Sequence, residues 1–169
     1  MSYDLVYAYL LYPIAFILPA WVANGAPVVF GGGRPVDLGR KLWGRRIFGD
    51  HKTMRGLVMG ILSGLVVAGA ISIYSPELLA TGILLTIGAH AGDLFGSFVK
   101  RRLNKKEGAS WALFDQYLFL AFGLLFALPF VPGTQLNLPG VLVIIVLTGV
   151  LHKATNVMAH RAKIKKVPW

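Results

Sequence analysis

The sequence predicts an all-α integral membrane protein of about five transmembrane helices, and three observations carry that expectation. The 169 residues are 56% hydrophobic yet bear a net charge of +10, with a mean hydropathy of +0.65. Five apolar stretches, at about 5–23, 57–74, 78–99, 112–131 and 138–159, come close to the roughly 20 residues that a bilayer core asks of a helix. All 17 Lys and Arg residues fall in three segments, each two spans apart from the next. A soluble domain of this length has no need of such runs.

The first span has Asp4 and no Lys or Arg ahead of its apolar run, so it lacks the positive flank of a signal peptide and reads as a permanent helix. Pro13 and Pro19 interrupt it; each removes a backbone donor, and together they predict a bend. The loop 24–56 then holds seven cations, Arg34, Arg40, Lys41, Arg45, Arg46, Lys52 and Arg55. The connection 100–111 holds five, Lys100, Arg101, Arg102, Lys105 and Lys106, and the end of the fifth span with its tail holds Lys153, Arg161, Lys163, Lys165 and Lys166. The turns marked by Pro76 and by Pro129, Pro132 and Gly133 hold none.

By the positive-inside rule the two basic loops and the C-terminus lie in the cytoplasm and the N-terminus outside, which makes this a multi-pass protein of the plasma membrane. Orientation and attraction to anionic lipid, worth about 1 kcal/mol per surface charge, explain most of the run from Arg161 to Lys166 and half of that from Arg40 to Arg46. They do not explain acids inside the spans. No nucleic-acid partner is expected, and the absence of cysteine excludes disulfides, thiolate nucleophiles and Cys-type zinc sites.

A carboxylate in hydrocarbon costs at least about 2.5–3.5 kcal/mol, so an intramembrane Asp signals a functional site. Asp93 lies about 10 Å below the basic end of the third span, and Asp115 enters the fourth span from that same end. Asp93, Ser97 and Lys100 share one helical face, with His90 and Arg101 at its edges. Two carboxylates beside clustered cations suggest phosphate and a divalent metal such as Mg²⁺, which takes one or two carboxylates plus substrate phosphates. The alternative is that Asp93 and Asp115 pair with Lys100 or Arg101 simply to join two helices. Gly88, Gly92 and Gly96, four residues apart, form a ridge suited to close helix packing or to a homodimer.

Within the first basic loop, the run from Phe30 to Gly39 is glycine-rich enough for its amides to cradle phosphate, although it lacks a P-loop ending. Asp50, Lys52, Thr53 and Arg55 stand where the second span begins, so a positive helix end and these cations face the same anion. A solvated basic loop with Thr53 as a cap is the plainer reading, and His51 reads as a bystander.

Gly92-Asp-Leu-Phe-Gly-Ser-Phe-Val-Lys-Arg101 resembles the G-D-L-x-x-S-x-x-K-R signature of the CTP:phosphatidate cytidylyltransferase family. Lys52-Thr-Met-Arg-Gly56 is similar to that family's K-T-x-E-G element with Arg55 in place of the acid, and Phe114-Asp-Gln resembles its closing D-R-x-D element with Gln116 and Leu118 substituted. The family's Pro-Gly-His-Gly-Gly stretch is absent. These departures, the small size, the GGGRPVDLG and RRIFGDHKT runs and the Val167-Pro-Trp169 ending resemble the archaeal branch, whose members make CDP-archaeol. The resemblance spans nearly the whole chain.

That resemblance implies transfer of CMP from CTP to a 2,3-bis(geranylgeranyl)glycerol lipid phosphate, with Mg²⁺ required and pyrophosphate released. It implies that Asp93 and Asp115 ligate metal and that Lys52, Lys100 and Arg101 hold phosphates. Ser97 and Thr53 would bond phosphate or orient a carboxylate, and Arg55, Asp50, Asp37, Arg46 and Asn24 would line the substrate site. A cavity open to the cytoplasm between the second, third and fourth spans would admit lipid sideways and CTP from water. Two alternatives stay open, an enzyme acting on ester lipids and a small transporter of an anionic solute, though no internal repeat favours the latter.

Overall fold

The first helix is longer than the sequence predicts. In the computed structural model, which describes residues 2–105, 111–131, 136–165 and 167, α1 is α-helical over Ser2–Val6, widens to a π turn over Tyr7–Leu11 and continues over Tyr12–Phe30. Pro13 accounts for the wide turn. Its ring clashes with the carbonyl one regular turn back and it donates nothing, so the chain bonds Tyr12 N–H to Tyr7 O instead. Asn24 therefore sits on α1, and the loop begins after Phe30 rather than at 24. Lys106, Pro132, Gly133, Lys166 and the Pro168-Trp169 ending lie outside the described residues.

Four further helices follow. Helix α2, Met54–Ser72, starts at Thr53, whose Oγ1 accepts Gly56 N–H at 3.1 Å. Helix α3 spans Leu78–Arg102, and α4 spans Ala112–Ala127 with a 3-10 turn at Leu128–Phe130. Helix α5, Leu138–Arg161, is capped by Asn137, which accepts Gly140 N–H at 2.8 Å. All five are long and apolar enough to cross a membrane.

Small residues set the packing. A Cβ at Gly88 would stand 2.6 Å from Phe122 O, and one at Gly92 would stand 2.5 Å from Leu118 O, so the predicted ridge receives α4 of the same chain. A second ridge, Gly56, Gly60, Gly64 and Ala68, buries one side of α2 against α1 and α3. Helix α1 contributes Phe16, Ile17, Ala20 and Ala23 to the core, and Trp21 Nε1 donates to Thr148 Oγ1 at 2.8 Å to tie it to α5.

The all-α expectation needs one amendment. Strands β1, Lys41–Leu42, and β2, Arg45–Arg46, pair antiparallel across Trp43 and Gly44, which have φ of 51° and 75°. Two positive φ values in a two-residue hairpin loop match the right-handed twist of the strands. Glycine meets that demand freely; Trp43 meets it under strain.

Candidate active site

The loop and the N-terminal ends of α2 and α4 gather at the C-terminal half of α3. Two ion pairs occupy this junction. Lys52 Nζ donates to both carboxylate oxygens of Asp93 at 2.6 Å, joining the loop to α3. Lys100 Nζ donates to Asp115 Oδ1 at 2.7 Å, joining α3 to α4. The second oxygen of Asp115 accepts Trp111 N–H at 3.0 Å, so this acid also satisfies the first turn of its helix. Side-chain exposures of 16–33% leave both pairs within reach of water.

Such half-exposed pairs contribute little net stability. They do hold two carboxylates and two ammonium groups in position. Lysine is a point charge on a flexible stem, able to trade a carboxylate for a phosphate.

The loop is built to hold Lys52 in place. Asp37, 4% exposed, accepts N–H bonds from Gly39, Phe48 and Gly49 at 2.9–3.1 Å and a two-pronged contact from Arg46. Burial pushes its carboxyl pKa up, but Arg46 and the three amides outweigh that and hold it well below the usual carboxylate range. Arg46 reaches Asp50 as well, at 2.5 Å. Backbone bonds from Val36 N to Lys52 O and from Met54 N to Arg34 O then fix the segment entering α2.

A clamp fastens this loop to α3. The Arg102 guanidinium donates to the carbonyls of Leu42, Arg45 and Arg46 at 2.5–3.2 Å. Arg45 donates back to Arg102 O at 2.5 Å. Arg102 also lies over the rings of Trp43 and Phe98.

The residues expected at the site therefore separate. Lys52, Asp93, Lys100 and Asp115 come together. Thr53 caps α2 and also accepts Gly32 N–H at 3.1 Å, and buried Ser97 donates to Asp93 O at 3.1 Å, so both hydroxyls serve main-chain groups, one next to Lys52 and the other at Asp93. Asp37 and Arg46 form the core of the loop, with Asp50 exposed at its edge. Arg55 is exposed on the first turn of α2, Arg101 lies in the last turn of α3, and Asn24 is half-buried on α1.

A cavity of about 40 Å³ is lined by Pro27, Lys52, Thr53, Gly56, His90 and Asp93, room for a few waters. It lies between α1, α2 and α3, whereas the sequence predicts one between the second, third and fourth spans. The difference follows from the extension of α1, which brings Pro27 to this end. His90 is buried with Nε2 unpartnered.

The donor set suits a hard cation. Asp93 and Asp115 each bring a carboxylate to this junction, bonded to a lysine, and oxygen donors of that kind, with water and phosphate in the remaining positions, would fit Mg²⁺.

Sequence reasoning misses the contribution of α5. His152 and Asn156 lie one turn apart, their side chains 3.1 Å from one another. Lys165 Nζ donates to Asn156 Oδ1 at 2.7 Å and lies within electrostatic reach of Lys52, Asp115 and Lys100. The signal was available: Thr148, His152 and Asn156 repeat every four residues through an apolar span.

Comparison with known proteins bears on this arrangement. The family model "CarS-like: CDP-archaeol synthase" matches residues 5–169. A CDP-archaeol synthase of Pyrococcus abyssi is 48% identical over 166 residues, covering 91% of this chain and 95% of the relative. One of Methanosphaerula palustris is 42% identical over 167 residues, covering 90% and 100%. A solved structure described as an intramembrane enzyme for archaeal membrane lipids biosynthesis superposes with a TM-score of 0.74 at 36% identity, covering 85% of this chain and 91% of that one.

Proposed function

The chain belongs to the CDP-archaeol synthase family, and on that premise we propose that its two lysine–carboxylate pairs are the machinery of CMP transfer. The protein is a multi-pass membrane nucleotidyltransferase that moves CMP from CTP to an archaeal ether-lipid phosphate. The single observation that carries the site assignment is the meeting of Lys52–Asp93 and Lys100–Asp115 at one end of α3.

A lipid phosphate is largely ionised at neutral pH, its second pKa being about 6, so its oxygen needs alignment rather than a general base. That oxygen bonds to the α-phosphorus of CTP as the bond from the α-phosphorus to the bridging oxygen breaks, and pyrophosphate leaves. No proton changes hands. Lys52 and Lys100 turn from their carboxylates to the phosphates and offset the charge developing there. Asp93 and Asp115 are the residues that would then hold Mg²⁺. When bound, the metal supplies Lewis-acid neutralisation of CTP oxygens. Arg101, in the same turn as Lys100, adds a further cation.

Purified protein given labelled CTP, Mg²⁺ and an unsaturated archaeal ether-lipid phosphate is expected to form CDP-lipid. Phosphatidic acid in its place should yield none, and EDTA should abolish the product. Turnover of phosphatidic acid alone would reverse the lipid assignment, and turnover undiminished by EDTA would remove the metal.

The active end faces the cytoplasm of the plasma membrane in this reading, in keeping with the basic loops. The absence of native cysteine makes that testable. Trp43 and Tyr74, 79% and 90% exposed, mark opposite ends of the bundle. An impermeant maleimide applied to intact cells should label the Tyr74→Cys variant and spare Trp43→Cys; the converse pattern would invert the topology.

A further inference from the structure

We propose that the buried imidazole of His90 is a substrate-binding group of this site, donating from Nε2 to an oxygen of a substrate phosphate seated in the cavity between α1, α2 and α3. The inference rests on the CMP-transfer reading and adds to it a residue that the reaction as drawn does not use.

His90 stands one turn below Asp93 on α3 and is 6% exposed. Its ring reaches this depth because α2 carries glycine opposite it: a Cβ at Gly60 would lie 2.4 Å from Cε1 and 2.6 Å from Nε2. Gly60 is one turn along α2 from Gly56, which lines the cavity together with His90, Lys52, Thr53 and Asp93. Nε2 thus lies at the deep end of the cavity, buried and without a hydrogen-bond partner. Leaving a buried polar atom unpaired costs free energy, which a ligand entering the cavity can recover.

The lining is rich in donors. Thr53 Oγ1 accepts N–H bonds from Gly32 and Gly56, so what it still has to give is its hydroxyl hydrogen. Lys52 brings an ammonium, held against Asp93. A neutral imidazole donates from Nε2 in one of its two tautomers. The cavity of about 40 Å³ has room for about three oxygen-sized occupants, the terminal oxygens of one phosphoryl group but not a base or a sugar. An ionised phosphate oxygen only accepts, and so complements all three donors at once. The phosphate belongs to the lipid headgroup or to CTP, and kinetics tells the two apart.

The test compares H90M and H90Q with the wild-type protein, measuring kcat, KM for CTP, KM for the lipid phosphate and the melting temperature without substrate. Methionine keeps the bulk and removes the donor; glutamine returns an N–H close to the place of Nε2. In H90M one KM should rise by about tenfold or more, the worth of a hydrogen bond to a charged acceptor, and H90Q should recover most of that loss. The melting temperature of H90M should equal or exceed that of the wild-type protein, because an unpaired buried atom has gone. A rise in KM for CTP assigns the nucleotide phosphates; a rise for the lipid assigns the headgroup. Unchanged KM values for both substrates in H90M would overturn the proposal, and a lowered melting temperature alongside them would assign Nε2 to the fold through a buried water. Equal loss of activity and of melting temperature in both variants would overturn it as well. The wild-type protein separates the two levels: if it forms no CDP-lipid, the reaction assignment fails and His90 with it. If it turns over and H90M matches it, His90 alone is misassigned.

Discussion

Asp93→Asn is expected to reduce CMP transfer by at least about 10³-fold, the scale on which removal of a preorganised charge from a transition state is felt. Asparagine preserves the shape of the side chain and one acceptor oxygen. It removes the charge that neutralises Lys52 and that would hold a cation. Both partners of the pair retain 26–33% side-chain exposure, so the stranded ammonium can rehydrate, and insertion and melting temperature should stay near those of the wild-type protein. Labelled CTP turnover in lipid or detergent reads the outcome. Activity within tenfold of wild type would strike Asp93 from the metal ligands.

Gly88→Val should instead prevent the bundle from forming. Its Cβ would meet Phe122 O at 2.6 Å and Gly123 Cα at 2.8 Å. Both are main-chain atoms, with no rotamer to relieve the overlap. The helices must part along their most extensive contact, and the destabilisation should exceed the ~1–3 kcal/mol typical of overpacking with side chains that can shift. The measurement is the yield of monodisperse protein and its thermal midpoint in detergent. A variant that melts like wild type would mean that α3 and α4 are not locked at this point.

These two residues illustrate what the sequence makes legible. Gly88 belongs to a four-residue repeat, and Asp93 is a charge in an apolar run; either is visible in one dimension because helical periodicity or bilayer energetics marks it. The spans follow from the same physics. The end of α1 does not. The span read from the sequence stops at 23 and the loop begins at Asn24, yet the helix runs on to Phe30 with Pro27 packed against Gly56, a tertiary effect that outweighs propensity.

The Trp43-Gly44 hairpin and the role of Asp37 are likewise set by partners distant in the chain. Asp37 reads as a substrate ligand until its oxygens are seen to be occupied by Gly39, Arg46, Phe48 and Gly49. Lys165 is hidden for another reason. In a basic tail, every lysine looks topogenic until one is seen to bond Asn156 on α5.

The clamp between Arg102 and the hairpin engages carbonyl oxygens and, among the described residues, no carboxylate. What it recognises is therefore the path of the main chain, not the identity of the side chains along it. Lys41 and Leu42 can change character without loosening the grip, provided the tight reversal survives. High ionic strength, which weakens attraction between opposite charges at a surface, has little purchase on a guanidinium held by peptide dipoles. The basic loop is in this sense moored to the third span by its shape.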